Sequence, residues 1–261
     1  MKHVCKRFNM NTNCKCQSGP ACDRLSNPIL FNILSHMDSH QSTPSVSHWC
    51  NCESRRTVVL KRPTEVCKEA SVVLVKTVHF MKNLPAFNQL PGRDRGVLLE
   101  HCWAPLFILG LAQERMDFEV TDTAADSMLK KILLNRQHGP GVEREQPTAA
   151  AVRKLKTCLK RLWNLDLSPK EYAYLKGTTI FNPDVPELKA GLLVAALQQE
   201  AENALSEVVH MLHMEERDRF GHILLMASSL RSISPHLLTE LFFRPVIGSA
   251  DLLQLMADML F

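Results

Sequence analysis

Apolar and polar residues are spaced differently on the two sides of residue 63. Residues 72–111 form the most apolar long run of the chain, and its spacing predicts two helices joined by a short turn. In the first, Ala70, Val73, Leu74, Thr77, Phe80, Met81 and Leu84 recur at helical intervals and make one apolar face. Pro85 follows, and the residue before a proline is pushed out of the helical region, so the helix is expected to stop there. Asp94 stands where a carboxylate can accept from the free amides of a new first turn, which predicts it as the cap of the second helix. That helix carries Leu98, Leu99, Cys102, Trp103, Leu106, Phe107 and Leu109 around most of its circumference. A helix with no polar face must be covered on several sides, so this one is expected at the centre, bent at Pro105 where a backbone donor is lost.

The segments that follow supply the cover. Residues 116–120 alternate with the two-residue period of a strand and predict a small hairpin or edge. Asp126-Ser127 precede a short amphipathic helix, MLKKILL, with Leu129, Ile132 and Leu133 on one face. Gly139, Pro140 and Gly141 mark a loop over 135–147. Residues 148–165 predict an amphipathic helix with Val152, Leu155, Leu159, Leu162 and Trp163 inward. Ser168-Pro169-Lys170-Glu171 combines a capping box with a proline at the first helical position, and its helix should end near Asn182-Pro183. Asp184 and Glu187 are expected to open a long helix reaching about Met214. Residues 217–233 and 235–243 predict one long or two abutting helices, stopped by Pro245 and released by Gly248. Residues 251–260 form a last short helix. The expectation is an all-α domain over 64–261 with a trace of strand.

Residues 1–63 lack this periodicity and read as a flexible basic, cysteine-rich segment. It carries nine Lys/Arg against three Asp/Glu, so with a net charge of +4 for the whole chain the remainder is close to neutral. One stretch stands out: Asn27-Pro28 start a short helix with Leu30, Ile33 and Leu34 on one face. It either docks on its own domain or enters another protein's groove. No apolar leader follows Met1 and no apolar run approaches membrane-spanning length, which predicts an intracellular protein with reduced thiols.

Catalytic chemistry finds little support. GxSxG, GxxxxGK and GxGxxG are all missing. His101 and Cys102 are adjacent, so on a helix they diverge by about 100° and do not make a dyad. His210 and His213, with Glu215 and Glu216 after them, read as a solvated helix end. Cys14, Cys16, Cys22, His48, Cys50 and Cys52 do not show the CxxC pairing of zinc modules, so neither metal nor cofactor is expected. Arg55-Arg56 and Lys61-Arg62 lack the interleaved aromatics or zinc scaffold of specific DNA readout. Charges on the helices are expected to be interleaved and solvated.

Phe80-Met81-Lys82, Leu84-Pro85, Phe87, Leu90, Asp94, Leu98-Leu99 and Trp103 resemble the signature of nuclear-receptor ligand-binding domains. Residues 241–248, LFFRPVIG, are similar to the family's penultimate helix and its exit. Phe181-Asn182-Pro183-Asp184 fit one of its interhelical turns. Residues 255–260, LMADML, resemble its activation helix. Arg95 stands where the family usually has Gln, Gly96 follows it inside the helix, and Asp258 stands for the usual Glu. No amphipathic run of the family's first-helix length lies between Pro44 and Pro63. Nor does a CxxC-paired DNA-binding domain precede residue 64, which resembles a small subgroup of orphan receptors. The resemblance implies a three-layer helical sandwich with a minimal β-hairpin. It implies a groove lined by Val78, Leu99, Leu255 and Met259, with Lys82 and Asp258 as a charge clamp for the two ends of a bound LxxLL helix. It also implies that Leu30/Ile33/Leu34 and Leu129/Ile132/Leu133 are LxxLL-like boxes aimed at the ligand-binding domains of other nuclear receptors. The function implied is transcriptional corepression in the nucleus, and also the cytoplasm, without direct DNA binding. It would exclude coactivators and recruit corepressor proteins, with dimerisation through 235–244 and a link to lipid and bile-acid control. A sensor of an apolar metabolite is the other reading.

Overall fold

The computed structural model describes residues 56–122 and 146–261. The first element is a strand, β1 (Val58–Leu60), whose Val58 and Leu60 are buried and Val59 exposed. It belongs to the folded body although it lies before residue 64. Helix α1 (Pro63–Lys82) begins with Pro63 at its first position and buries Val66, Cys67, Ala70, Val73, Leu74, Thr77, Val78 and Met81. A one-turn helix, α2 (Pro85–Asn88), turns the chain into α3 (Gly92–Gln113). Every residue from 102 to 112 is buried, and α3 runs unbroken through Pro105. By length and apolarity α3 would meet the requirements of a membrane span, contrary to the sequence expectation, but most of it is buried as the core helix.

Helix α3 packs on α1 on one side and on α4 (Ala149–Asn164) and α7 (Arg219–Leu230) on another, with α5 (Pro169–Ile180) beside it. Helix α6 (Gly191–Leu212) lies against α5 and α7. These contacts make three layers: α1, then α3 with α5 and α6, then α4 with α7. Gly110 sets the closeness of the first two. A Cβ there would stand 2.7 Å from Val73 Cγ1 and 3.3 Å from Thr77 Oγ1.

Ser168 and Glu171 form the reciprocal capping box expected of them, and two caps not read from the sequence join it: Thr148 accepts from the Ala151 amide, and Asp251 caps the last helix by accepting from Leu253. Others differ. The strand over 116–120 is displaced: β2 is Val120–Asp122, and its antiparallel partner is β1, far upstream, rather than the other arm of a hairpin. Met116 and Phe118 keep their alternating burial as an extended approach to it. Asp94 does not cap its own helix. It is fully buried in the first turn of α3 and accepts from the Lys189 and Ala190 amides at 3.1 and 2.7 Å, so it ties α3 to the start of α6. Helix α6 accordingly starts at Gly191, after Pro186 and a left-handed Glu187 (φ 68°), not at Asp184.

Pro245 does not stop its helix either. Helix α8 (Pro235–Leu238) widens into a π-helical segment (Thr239–Phe243) and continues as α9 (Arg244–Ile247). A proline ring collides with the carbonyl four residues back in an α-helix, and the wider turn accommodates it. Gly248, at φ 60°, then ends the run, and α10 (Leu252–Leu260) is the final helix. The apolar residues of 235–244, namely Leu237, Leu238, Leu241, Phe242 and Phe243, all point inward, which leaves Pro235 and His236 on the exposed side.

Candidate helix-binding groove

The groove is built where α1 ends and α3 begins. Val78 on α1 and Leu99 on α3 are 2% and 3% exposed, and α10 packs on both of these helices. Helix α10 buries Leu252, Met256 and Leu260, one face at four-residue spacing, and leaves Leu255 and Met259 at 41% and 39% exposure. Lys82 Nζ donates to the Met259 carbonyl at 2.9 Å. That carbonyl belongs to the last turn of α10, where backbone oxygens have no intrahelical donor and the helix dipole is negative. Beyond it, the Arg95 guanidinium stands 5.0 Å from the centroid of the Phe261 ring. Arg95 Nε is buried without a hydrogen-bond partner.

In this structure the Lys82 ammonium is taken up by the chain's own final helix. A clamp with Asp258 at the other end of one bound helix is not the arrangement seen. Asp258 adjoins Met259, so both charges lie at the same end of α10, and its carboxylate accepts from Gln254 Nε2 at 2.8 Å one turn back. The physical reason is that α10 lies against the helices that carry Val78 and Leu99 and presents its C-terminus to Lys82. The two box segments, Leu30/Ile33/Leu34 and Leu129/Ile132/Leu133, lie outside the described residues, as do Cys14, Cys16, Cys22, His48, Cys50 and Cys52.

A sequence model of the ligand-binding domain of nuclear hormone receptors matches residues 60–247. The chain belongs to the nuclear receptor family. It is 47% identical over 254 residues to nuclear receptor subfamily 0 group B member 2 of Rattus norvegicus, covering 95% of this chain and 96% of that protein. The human protein of the same name is 46% identical over 252 residues with the same coverage. Nuclear receptor subfamily 0 group B member 1 of Homo sapiens is 41% identical over 223 residues, 78% of this chain but 47% of the longer relative.

Among the described residues, the one ion pair buried on both sides was not predicted. Glu171, fully buried, accepts from Arg219 Nε at 2.9 Å and from the Ser168 amide at 2.7 Å. Burial pushes its carboxyl upward, but the bonds from Arg219 and Ser168 outweigh it and hold it below the usual carboxylate range. Sequence spacing reveals the capping role of Glu171, whereas its partner lies 48 residues away. His213 stands 3.8 Å from the same carboxylate, so it joins this network, while His210 is exposed. Among the described residues no His, Cys, Asp and Glu group is arranged to hold a metal.

His101 and Cys102 diverge as expected. His101 Nδ1 lies 2.9 Å from the Val97 carbonyl, and the buried Cys102 thiol donates to the Ile180 carbonyl. Burial pushes that thiol up to about 12, which leaves it protonated and unreactive. Both line a cavity of about 230 Å³ between α3, the end of α5 and Arg231. The space between α3 and the π-helical segment is filled by aromatic rings. Phe107 lies 5.2 Å from Phe243 and 5.9 Å from Phe242, and Phe118 lies 5.1 Å from Phe242.

Proposed function

We propose that this nuclear receptor is a transcriptional corepressor that acts by protein–protein contact and not by catalysis or by binding DNA itself. Its instruments are short apolar helices. The boxes Leu30/Ile33/Leu34 and Leu129/Ile132/Leu133 enter the grooves of other receptors' ligand-binding domains and exclude coactivator helices, and corepressor proteins are then recruited. The observation that carries this reading is the bond from Lys82 to Met259. It supports a groove between α1 and α3 that holds an apolar helix by its buried face and by the free carbonyls at its end. Three apolar side chains, worth about 1.5–3 kcal/mol each when fully buried, outweigh the end charge at about 0.3–1 kcal/mol. A box with three apolar residues on one face is therefore enough for recognition, whatever its flanking charges. The protein works in the nucleus and also in the cytoplasm. The aromatic rings that fill the space between α3 and the π-helical segment support the corepressor reading over the alternative of an apolar-metabolite sensor.

Fluorescently labelled peptides 26–38 and 125–137 test this against the ligand-binding domains of other receptors. Both should bind, and both should be displaced by a coactivator LxxLL peptide and by the full-length chain. Replacing Ile33 or Ile132 by Ala should weaken binding at least about tenfold, the loss of most of one buried side chain. Binding that survives these substitutions, or that no coactivator peptide displaces, refutes the displacement mechanism.

A further inference from the structure

Helix α4 breaks the expectation of interleaved surface charge. Its sixteen residues, AAAVRKLKTCLKRLWN, hold Arg153, Lys154, Lys156, Lys160 and Arg161 and no acidic residue. The whole chain has a net charge of only +4, so this one helix carries a larger positive charge than the complete protein. Its inner face is ordinary core, with Val152, Leu155, Cys158, Leu159 and Leu162 buried. Its outer face is concave where it meets the end of α7. A groove of about 420 Å³ runs between Arg153, Lys154, Thr157 and Arg161 on α4 and Ser229 and Ser232 beyond, with Ala150 and Cys158 as its apolar floor. Lys156 is committed to Asp117 at 3.8 Å and to the Phe118 ring. Among the described residues no carboxylate pairs with Lys154, Lys160 or Arg161, and Lys154 reaches only the Ser232 carbonyl at 2.8 Å.

We propose that this face of α4, with the groove it forms against α7, is a docking surface for an acidic amphipathic helix of a partner protein. Lys154 and Arg161 are seven residues apart and so lie on one face, which gives a cationic rim of about 10 Å, two helical turns. A partner helix with carboxylates one turn apart places them along that rim, and an apolar residue between them reaches the floor at Ala150 and Cys158. Nucleic acid fits less well. Trp163, the aromatic residue of α4, is half-buried and donates its indole N–H to the Ala112 carbonyl, so it gives no platform for a base. The surface is separate from the groove at Lys82, and its test does not depend on the corepressor reading.

The probe is a labelled helical peptide with Glu repeated every fourth position and Leu between, titrated with the full chain by fluorescence anisotropy at about 50 mM and about 200 mM salt, conditions that separate screened from buried contacts. It should bind at the lower salt and weaken steeply at the higher. Lys160→Glu with Arg161→Glu should weaken it at least about tenfold. Lys68→Glu, a reversal at an exposed cation on α1, should change it by less than about twofold. Unchanged thermal melting, with an intermediate loss in Lys160→Gln with Arg161→Gln, ties the effect to charge rather than folding. The proposal is overturned if the peptide does not bind at the lower salt or if both reversals weaken it equally. It is also overturned if duplex DNA binds this face more tightly than the peptide.

Discussion

Replacing Met256 by Ala tests whether α10 is an occupant of the groove or a part of its wall. Met256 is 1% exposed and sits at the middle of the buried face of α10, between Leu252 and Leu260. Truncating a buried methionine costs about 2–5 kcal/mol, with the low end applying where the surroundings can close in, as at a rim. At about 2 kcal/mol the equilibrium of α10 between docked and released shifts about thirtyfold toward release. A helix that competes for the same groove sees an affinity divided by the open fraction, so its apparent affinity rises by up to that factor. The assay is anisotropy of a labelled LxxLL peptide with the full chain, paired with hydrogen exchange of the α10 amides. Met256→Ala should tighten the peptide and speed exchange over Leu252–Leu260. Lys82→Ala should leave the apparent affinity within about threefold, because it removes a cap of about 0.3–1 kcal/mol from both competitors. A peptide that binds more weakly to Met256→Ala, with faster exchange of α10, refutes the reasoning. Helix α10 would then be part of the platform that receives a partner.

Two glycines of α3 should respond oppositely to alanine. Gly110→Ala pushes a methyl group against Val73 and Thr77 and should cost about 1–3 kcal/mol, read as a lower urea midpoint. Gly96→Ala meets open space within an α-helix and should add about 0.4–1 kcal/mol to the same measurement. Arg219→Ala leaves the buried Glu171 charge unpaired and should cost about 3–5 kcal/mol by denaturant titration. The pH dependence follows from the same pair. Glu171 is held below its ordinary value of 4.5, so its contribution is complete above that value and is lost as the pH falls through the lower folded value. Glu171→Gln should flatten that acid limb of the stability curve, and an unchanged limb would exclude the pair as its source.

The parts of this fold that were legible before the structure are those set by local spacing. The apolar circumference of α3 places it at the centre, because a helix with no polar face has no stable exposed position. Ser168 and Glu171 act on each other across three positions, so their motif is complete within a few letters. What spacing could not show is contact across sequence distance. Asp94 looks like a local cap, but its oxygens are used by Lys189 and Ala190. The strand at Val120–Asp122 is fixed by Val58–Leu60, not by its neighbours. Gly110 carries no signal of its own, since its role is the room it leaves for Val73.

The groove shows the same division at the level of function. Lys82 and Val78 lie on α1 and Leu99 on α3, and the residues of the proposed helix-binding surface can be read in order along the chain. The occupant cannot, because LMADML is equally suited to forming one wall of the groove and to filling it. Its apolar residues admit two faces. One carries Leu252, Met256 and Leu260 and is buried, and the other carries Leu255 and Met259 and is left partly open. Which face turns inward decides whether Asp258 stands across the groove from Lys82 or beside it. In this structure it stands beside it, and the end charge that would receive a partner is satisfied in cis. A partner helix entering here must first release α10, so the strength of recruitment is set by the difference between two similar helices. On α4, by contrast, no described carboxylate pairs with Lys160 or Arg161, so an acidic partner there would displace no internal ion pair of these two cations.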